Sequence, residues 1–116
     1  MSGAQTALPV LKPNSFHILL SLADGAQHGY GIMQDVLERT DGKLRLWPAT
    51  LYGSLRRLVE QGLIEESGEA SGDARRRCYQ LTRRGRAVLG AEIRRLEDLL
   101  RAARTTRRSL DLESST

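Results

Sequence analysis

A small, mainly α fold carrying one β-hairpin is predicted by three observations. Three short stretches with apolar residues at helical spacing come first, each followed by a glycine. Two strand-like runs joined by a loop rich in Gly, Ser, Asp and Glu come next, and a last, long stretch keeps its apolar residues on one side. Aromatics make up only 4% of the 116 residues while 40% are hydrophobic, so the core is built from Leu, Ile, Val and Ala, as in small helical domains. A chain of this length holds one compact core.

Each element has its own signal. Residues 1–13 mix small, polar and proline residues without a period and are expected to fray. Asn14 or Ser15 caps a first helix through Ala23, with Phe16, Leu19, Leu20 and Ala23 on one face and Gly25 as its stop. A second helix spans Gly29 to Thr40, with Ile32, Met33, Val36 and Leu37 as its apolar stripe and Gly42 behind it. After a short connector, 43–47, Pro48 opens a third helix to Gln61 that is expected to bury Leu51, Leu55, Leu58 and Val59, with Gly62 as its break. Strands are expected over 63–67 and 76–81, joined by the loop 68–75. Thr82 caps a helix over 83–108, and a polar, acidic tail occupies 109–116. Residues 14–82 therefore read as a winged helix-turn-helix, and 83–108 as an appended C-terminal dimerisation helix.

The formal net charge is +4, and all but Lys12 and Lys43 of the 18 basic residues are arginine, whose planar fork suits phosphate. One cysteine, Cys78, excludes an internal disulfide, and no Cys/His set has zinc-ligand spacing. No apolar run is long enough to span a bilayer and no export signal opens the chain, so a soluble protein of the reducing cytoplasm is expected, with no membrane partner. A nucleophile with a base and an orienting group is lacking, as is a Gly-rich phosphate loop, so neither catalysis nor a cofactor is expected.

The third helix is the candidate reader of DNA. With its leucines turned inward, the outer face presents Thr50, Gly53, Ser54 and Arg57, with Arg56 at the flank. Small residues let the backbone approach base edges, hydroxyls donate or accept, and an arginine pairs with guanine or a phosphate. Arg75, Arg76 and Arg77 stand beside the hairpin loop, where a wing reaches the DNA backbone or minor groove. Pairing with Glu65, Glu66, Glu69 and Asp73 is their other use; the layout favours phosphate.

Tyr52 and Tyr30 lie near the starts of the third and second helices, where a phenol can donate to a phosphate, although core packing with the hydroxyl at the rim suits Tyr30 better. His28 is read as a cap or packing residue, and His17 has no partner that suggests chemistry. Cys78 is open to two readings, an inert small hydrophobe or a thiol tuned by neighbouring arginines. Along the last helix Leu89, Ile93, Leu96, Leu100 and Ala103 form an apolar seam suited to a second copy of the chain.

Four segments in order, His28-Gly29-Tyr30-Gly31-Ile32-Met33, Thr50-Leu51-Tyr52-Gly53-Ser54-Leu55 with Arg57-Leu58, Gly62-Leu63-Ile64, and Arg76-Arg77-Cys78-Tyr79-Gln80-Leu81-Thr82 with Gly85, resemble the PadR family of bacterial transcriptional regulators. The likeness runs from about Leu11 to Ala103, and the single C-terminal helix resembles the family's short subgroup. It implies a dimeric repressor on an inverted-repeat operator, in some members released by a small-molecule effector. It also implies Thr50 and Tyr52 on the DNA side, the wing arginines on the backbone and the last helix in the dimer. Trp47, Ala49 and Cys78 depart from the family's pattern, and core or interface packing is expected of Trp47. A winged helix that binds protein or RNA without an operator is the alternative.

Overall fold

The computed structural model describes residues 10–67 and 77–114. In chain order these form α1 (Pro13–Ser21), β1 (Gln27–His28), α2 (Gly29–Arg39), α3 (Pro48–Glu60), β2 (Ile64–Ser67), β3 (Cys78–Leu81) and α4 (Arg83–Ser114). The described residues are mainly helical, with one small antiparallel sheet, the winged-helix plan.

Local chemistry accounts for the boundaries. Pro13 itself opens α1, one residue before the expected Asn14 or Ser15 cap, because its fixed φ suits a first helical residue; Lys12 precedes it without a side-chain cap. Leu11 packs against the core, so the folded part begins inside the segment expected to fray. At the other end α1 stops at Ser21, earlier than Ala23, because the chain tightens into i−3 bonds, Leu22 N–H to Leu19 O at 3.1 Å and Ala23 N–H to Leu20 O at 3.2 Å. His28 caps α2, its Nδ1 accepting from the Gly31 N–H at 3.1 Å.

Two helices end in the same motif. Behind α3, Gly62 (φ 75°) donates to Val59 O at 3.0 Å and Leu63 to Leu58 O at 3.0 Å. Behind α2, Asp41 (φ 54°) takes the left-handed place one residue before the expected Gly42, with Gly42 N–H on Leu37 O at 2.8 Å.

The sheet has three strands in the order β1-β3-β2, one more than the sequence indicates. Gln27 pairs with Tyr79 and His28 with Cys78 on one side of β3; Ile64 pairs with Leu81 and Glu66 with Tyr79 on the other. A strand of two residues is too short to show alternation. The hairpin loop 68–75 and residue 76 lie outside the described residues.

Ile18, Leu19 and Leu22 meet Ile32 and Val36 of α2, Leu51, Leu55 and Leu58 of α3, Leu63 and Ile64, and Val88 of α4 in one core. Val59, expected inside, is 39% exposed, because it lies at the edge of the stripe set by Leu51, Leu55 and Leu58.

Thr82 opens α4 as expected: its Oγ1 accepts from Gly85 N–H at 2.9 Å and donates to Gly62 O at 2.6 Å. The first turns of α4 pack on α1 and β3. Leu89 is buried in this domain's own core and Ile93 packs against it, so the free part of the apolar seam starts at Leu96 and not at Leu89. The helix also continues past the expected end at 108 to Ser114, since residues 101–114 contain neither Gly nor Pro.

Candidate nucleic-acid interface

The stripe Leu51, Ser54, Leu55 and Leu58 turns inward from α3, and the other side of the helix is left to solvent. Thr50, Arg56 and Arg57 are exposed, Tyr52 is nearly half exposed and Gly53 is partly covered. Ser54 is the correction: it is 2% exposed because it holds the i+3 place of the buried stripe, one turn from Leu51 and Leu58. Its hydroxyl instead accepts from Arg57 Nη2 at 3.3 Å, which steers the guanidinium along the helix. A Cβ at Gly53 would lie 4.0 Å from Arg57 Nη1, so the glycine leaves the arginine room across the outer face.

Beside this face runs a cleft of about 310 Å³ between α3 and the sheet, lined by Tyr52, Arg56, Val59, Glu60, Glu66, Arg77 and Tyr79. Arg77 is the described member of the wing's arginine cluster; Arg75 and Arg76 lie outside the described residues. Its Nη1 sits 3.3 Å from Glu66 Oε1, one of the carboxylates anticipated as its partner, and both groups stay more than half exposed. An ion pair this wet contributes little to stability, about 1 kcal/mol at most, and yields readily to a stronger anion.

Tyr79 is buried, and burial, reinforced by the Glu66 carboxylate, raises its phenol above the ordinary tyrosine value. It is therefore a neutral hydroxyl at the base of the cleft at physiological pH.

Tyr52 spans two elements. Its phenol lies over the start of α2, where a Cβ on Gly29 would stand 2.7 Å from the hydroxyl. The missing side chain at Gly29 is what allows the approach. Tyr30, expected to pack in the core, is 64% exposed, with its hydroxyl accepting from Gln34 Nε2 at 3.0 Å. The three tyrosines thus divide into one buried, one bridging and one open to solvent.

Of the two placements expected of Trp47, core or interface, the core one is corrected. Trp47 is 63% exposed, not packed in the core, and the Arg45 guanidinium stands 5.3 Å from the centre of its ring. The signal for this lies in the connector. Leu44 and Leu46 turn inward while Lys43, Arg45 and Trp47 point out, a strand-like alternation in five residues that contain no recognised strand. Among the described residues no cluster of His, Cys, Asp and Glu could hold a metal ion, and no helix is long and apolar enough to cross a membrane.

Comparison with known proteins accords with this geometry. Residues 18–91 match the transcriptional regulator PadR-like family. Transcriptional regulator Rv3488 of Mycobacterium tuberculosis is 36% identical over 85 residues, which cover 73% of this chain and 77% of that protein. Among solved structures, a transcriptional regulator from Clostridium thermocellum aligns with a TM-score of 0.66 at 23% identity, over 83% of this chain and 97% of that one. Bacillus subtilis PadR, solved in complex with operator DNA, aligns with a TM-score of 0.62 at 23% identity, over 71% of this chain and 47% of that one. At these identities the structural likeness is one of fold, whereas the family match and the mycobacterial relative each span most of the domain. The chain belongs to the PadR-like family of transcriptional regulators.

Proposed function

We propose that the protein is a cytoplasmic, homodimeric repressor that reads an inverted-repeat operator in duplex DNA and is released by a small-molecule effector. The observation that carries this reading is the polar face of α3. Thr50, Tyr52, Arg56 and Arg57 stand exposed on one helix, and Arg77 shares a cleft with Tyr52 and Arg56. Among the described residues no carboxylate pairs with Arg56 or Arg57, which leaves both guanidinium groups available to phosphates or to guanine. That B. subtilis PadR was solved on operator DNA supports the same use of the shared fold. As a member of a family of regulators, the protein is not an enzyme.

In this reading Arg57, steered by Ser54, contacts bases, while Arg56, Tyr52, Tyr30 and the wing arginines Arg75, Arg76 and Arg77 hold the backbone. The test is binding of the purified protein to the DNA upstream of its own gene, against a shuffled duplex, over a range of salt. Preference for the upstream fragment, with log K falling by about 0.9 per log unit of salt for each phosphate neutralised, is the expected result. Equal affinity for both duplexes removes the operator. Retention of a protein or RNA partner without duplex DNA favours an interaction module instead.

A further inference from the structure

We infer that Arg45 and Trp47, on the connector ahead of α3, form an additional contact to the sugar–phosphate backbone of duplex DNA, beyond the bases reached by α3. The inference rests on the reading of α3 as the DNA-facing helix and extends it to residues that reading does not use.

Three observations carry it. The first is placement: Trp47, Pro48, Ala49 and Thr50 are all exposed, so the tryptophan belongs to an unbroken surface leading into the polar face of α3. Leu44 and Leu46 fasten the connector to the core, Leu46 being only 1% exposed, which gives Arg45 and Trp47 a firm base. The second is charge. From Lys43 to Val59 the chain contains no acidic residue but four cations, Lys43, Arg45, Arg56 and Arg57, a long run of one sign that suits a polyanion.

The third is the stack itself. The Arg45 Cζ lies over the Trp47 ring, 5.3 Å from its centre, a cation–π attraction that takes up none of the lone-pair acceptors a guanidinium seeks. The guanidinium is thus held in place with its donors open, an arrangement suited to a bidentate phosphate contact at small cost in side-chain entropy. The flat indole beside it offers an apolar surface to the neighbouring deoxyribose. Neither contact reads a base, so both should raise affinity without altering sequence preference.

Trp47 is the only tryptophan in the chain, so its own fluorescence reports on this contact. The wild-type protein is titrated with end-labelled upstream duplex while anisotropy reports binding and acrylamide quenching reports access to Trp47. Quenching is expected to fall in step with binding. Trp47→Ala should weaken upstream and shuffled duplexes alike, by roughly tenfold, equivalent to about 1.4 kcal/mol, with Trp47→Phe retaining most of the affinity. Arg45→Ala should lower the salt slope by about 0.9 for each phosphate that the side chain neutralises in the wild type. Circular dichroism verifies that the variants fold, as expected for side chains outside the core. Binding with unchanged quenching, or undiminished affinity in folded Trp47→Ala, overturns this inference alone. Absence of any duplex binding overturns it together with the reading of α3. A change of oligomeric state in Trp47→Ala also overturns it, by making the surface a protein contact.

Discussion

Two glycines show how single residues serve stability and the candidate interface separately. A Cβ at Gly85 would overlap the carbonyl oxygen of Leu63 and stand 2.9 Å from its carbonyl carbon, where α4 crosses the lead into β2. Backbone cannot swing aside, so Gly85→Ala should cost at least about 2 kcal/mol, seen as an earlier urea midpoint. At Gly29 the obstacle is the end of the Tyr52 side chain, which can rotate away. Gly29 is the first residue of α2, so alanine's advantage as a helix former offsets only part of that small cost. Gly29→Ala should therefore leave the midpoint nearly unchanged but weaken duplex binding several-fold; unaltered affinity would show that the phenol is not needed where it lies.

The amino-acid sequence made Gly62 and Thr82 legible because caps and stops depend on neighbours a few residues away. It did not separate Ser54 from the outer face, because a serine at a stripe's i+3 place has the polarity of a surface residue. Trp47 misled in the opposite sense: a large apolar side chain suggests burial, yet its surroundings are set by a connector with no periodic signal of its own.

At the scale of elements, α3 and the start of α4 were legible, since each has a stop or cap and a stripe of leucines or their equivalents. The length of α4 was not: the polarity of residues 109–114 suggested a tail, whereas the absence of a helix breaker decides the matter. The start of the free seam was not legible either, because a spacing of four and three residues is the same whether a helix faces its own core or a second molecule.

Near the base of α4 a buried carboxylate is paired within the helix itself. Glu92 is 5% exposed and accepts from Arg95 Nε at 3.0 Å and Nη2 at 2.5 Å. The hydrogen bonds from Arg95, with further help from its charge and from the Leu11 N–H, hold the carboxyl below the ordinary glutamate value of 4.5 against the opposing effect of burial. A carboxylate lowered on folding contributes stability that is fully present above the unfolded value. That contribution is lost as pH falls through the lower, folded one. Unfolding free energy should thus decline in acid below about pH 4.5, and Glu92→Gln should flatten that part of the profile. An identical acid slope in the variant would assign the decline to other carboxylates.

For the molecule as a whole, shape is the guide to assembly. A compact domain of this length has a radius of gyration of about 13 Å, whereas this chain reaches 17.4 Å, with principal extents of 64, 42 and 23 Å. The excess comes from α4, whose 32 residues extend about 48 Å. Beyond Ile93 it carries Leu96, Leu99, Leu100, Leu110 and Leu112 in the open, with Ala103 also exposed. Leu96, Ala103 and Leu110 are seven residues apart, with Leu99 and Leu100 between the first two, a pattern that matches a helix lying along another of its kind.

Burying a leucine is worth roughly 1.5–3 kcal/mol, and a two-fold axis counts each one twice, enough to exceed the entropy of association with a few such residues. Leu96→Glu combined with Leu100→Glu should therefore sediment as a folded monomer with an unchanged circular dichroism spectrum, since both side chains lie outside the domain's own core. A dimer sets the distance between its two α3 helices, which for successive major grooves on one DNA face is about 34–36 Å, or 10–10.5 base pairs. The monomeric variant should hold a single half-site with the weak affinity of one α3, and half-site spacing should no longer matter to it. Insertion of about half a helical turn between half-sites should correspondingly abolish tight binding by the wild type alone. A double variant that remains dimeric would place the interface on another surface, and a wild type indifferent to the insertion would mean that the two α3 helices do not engage one operator together.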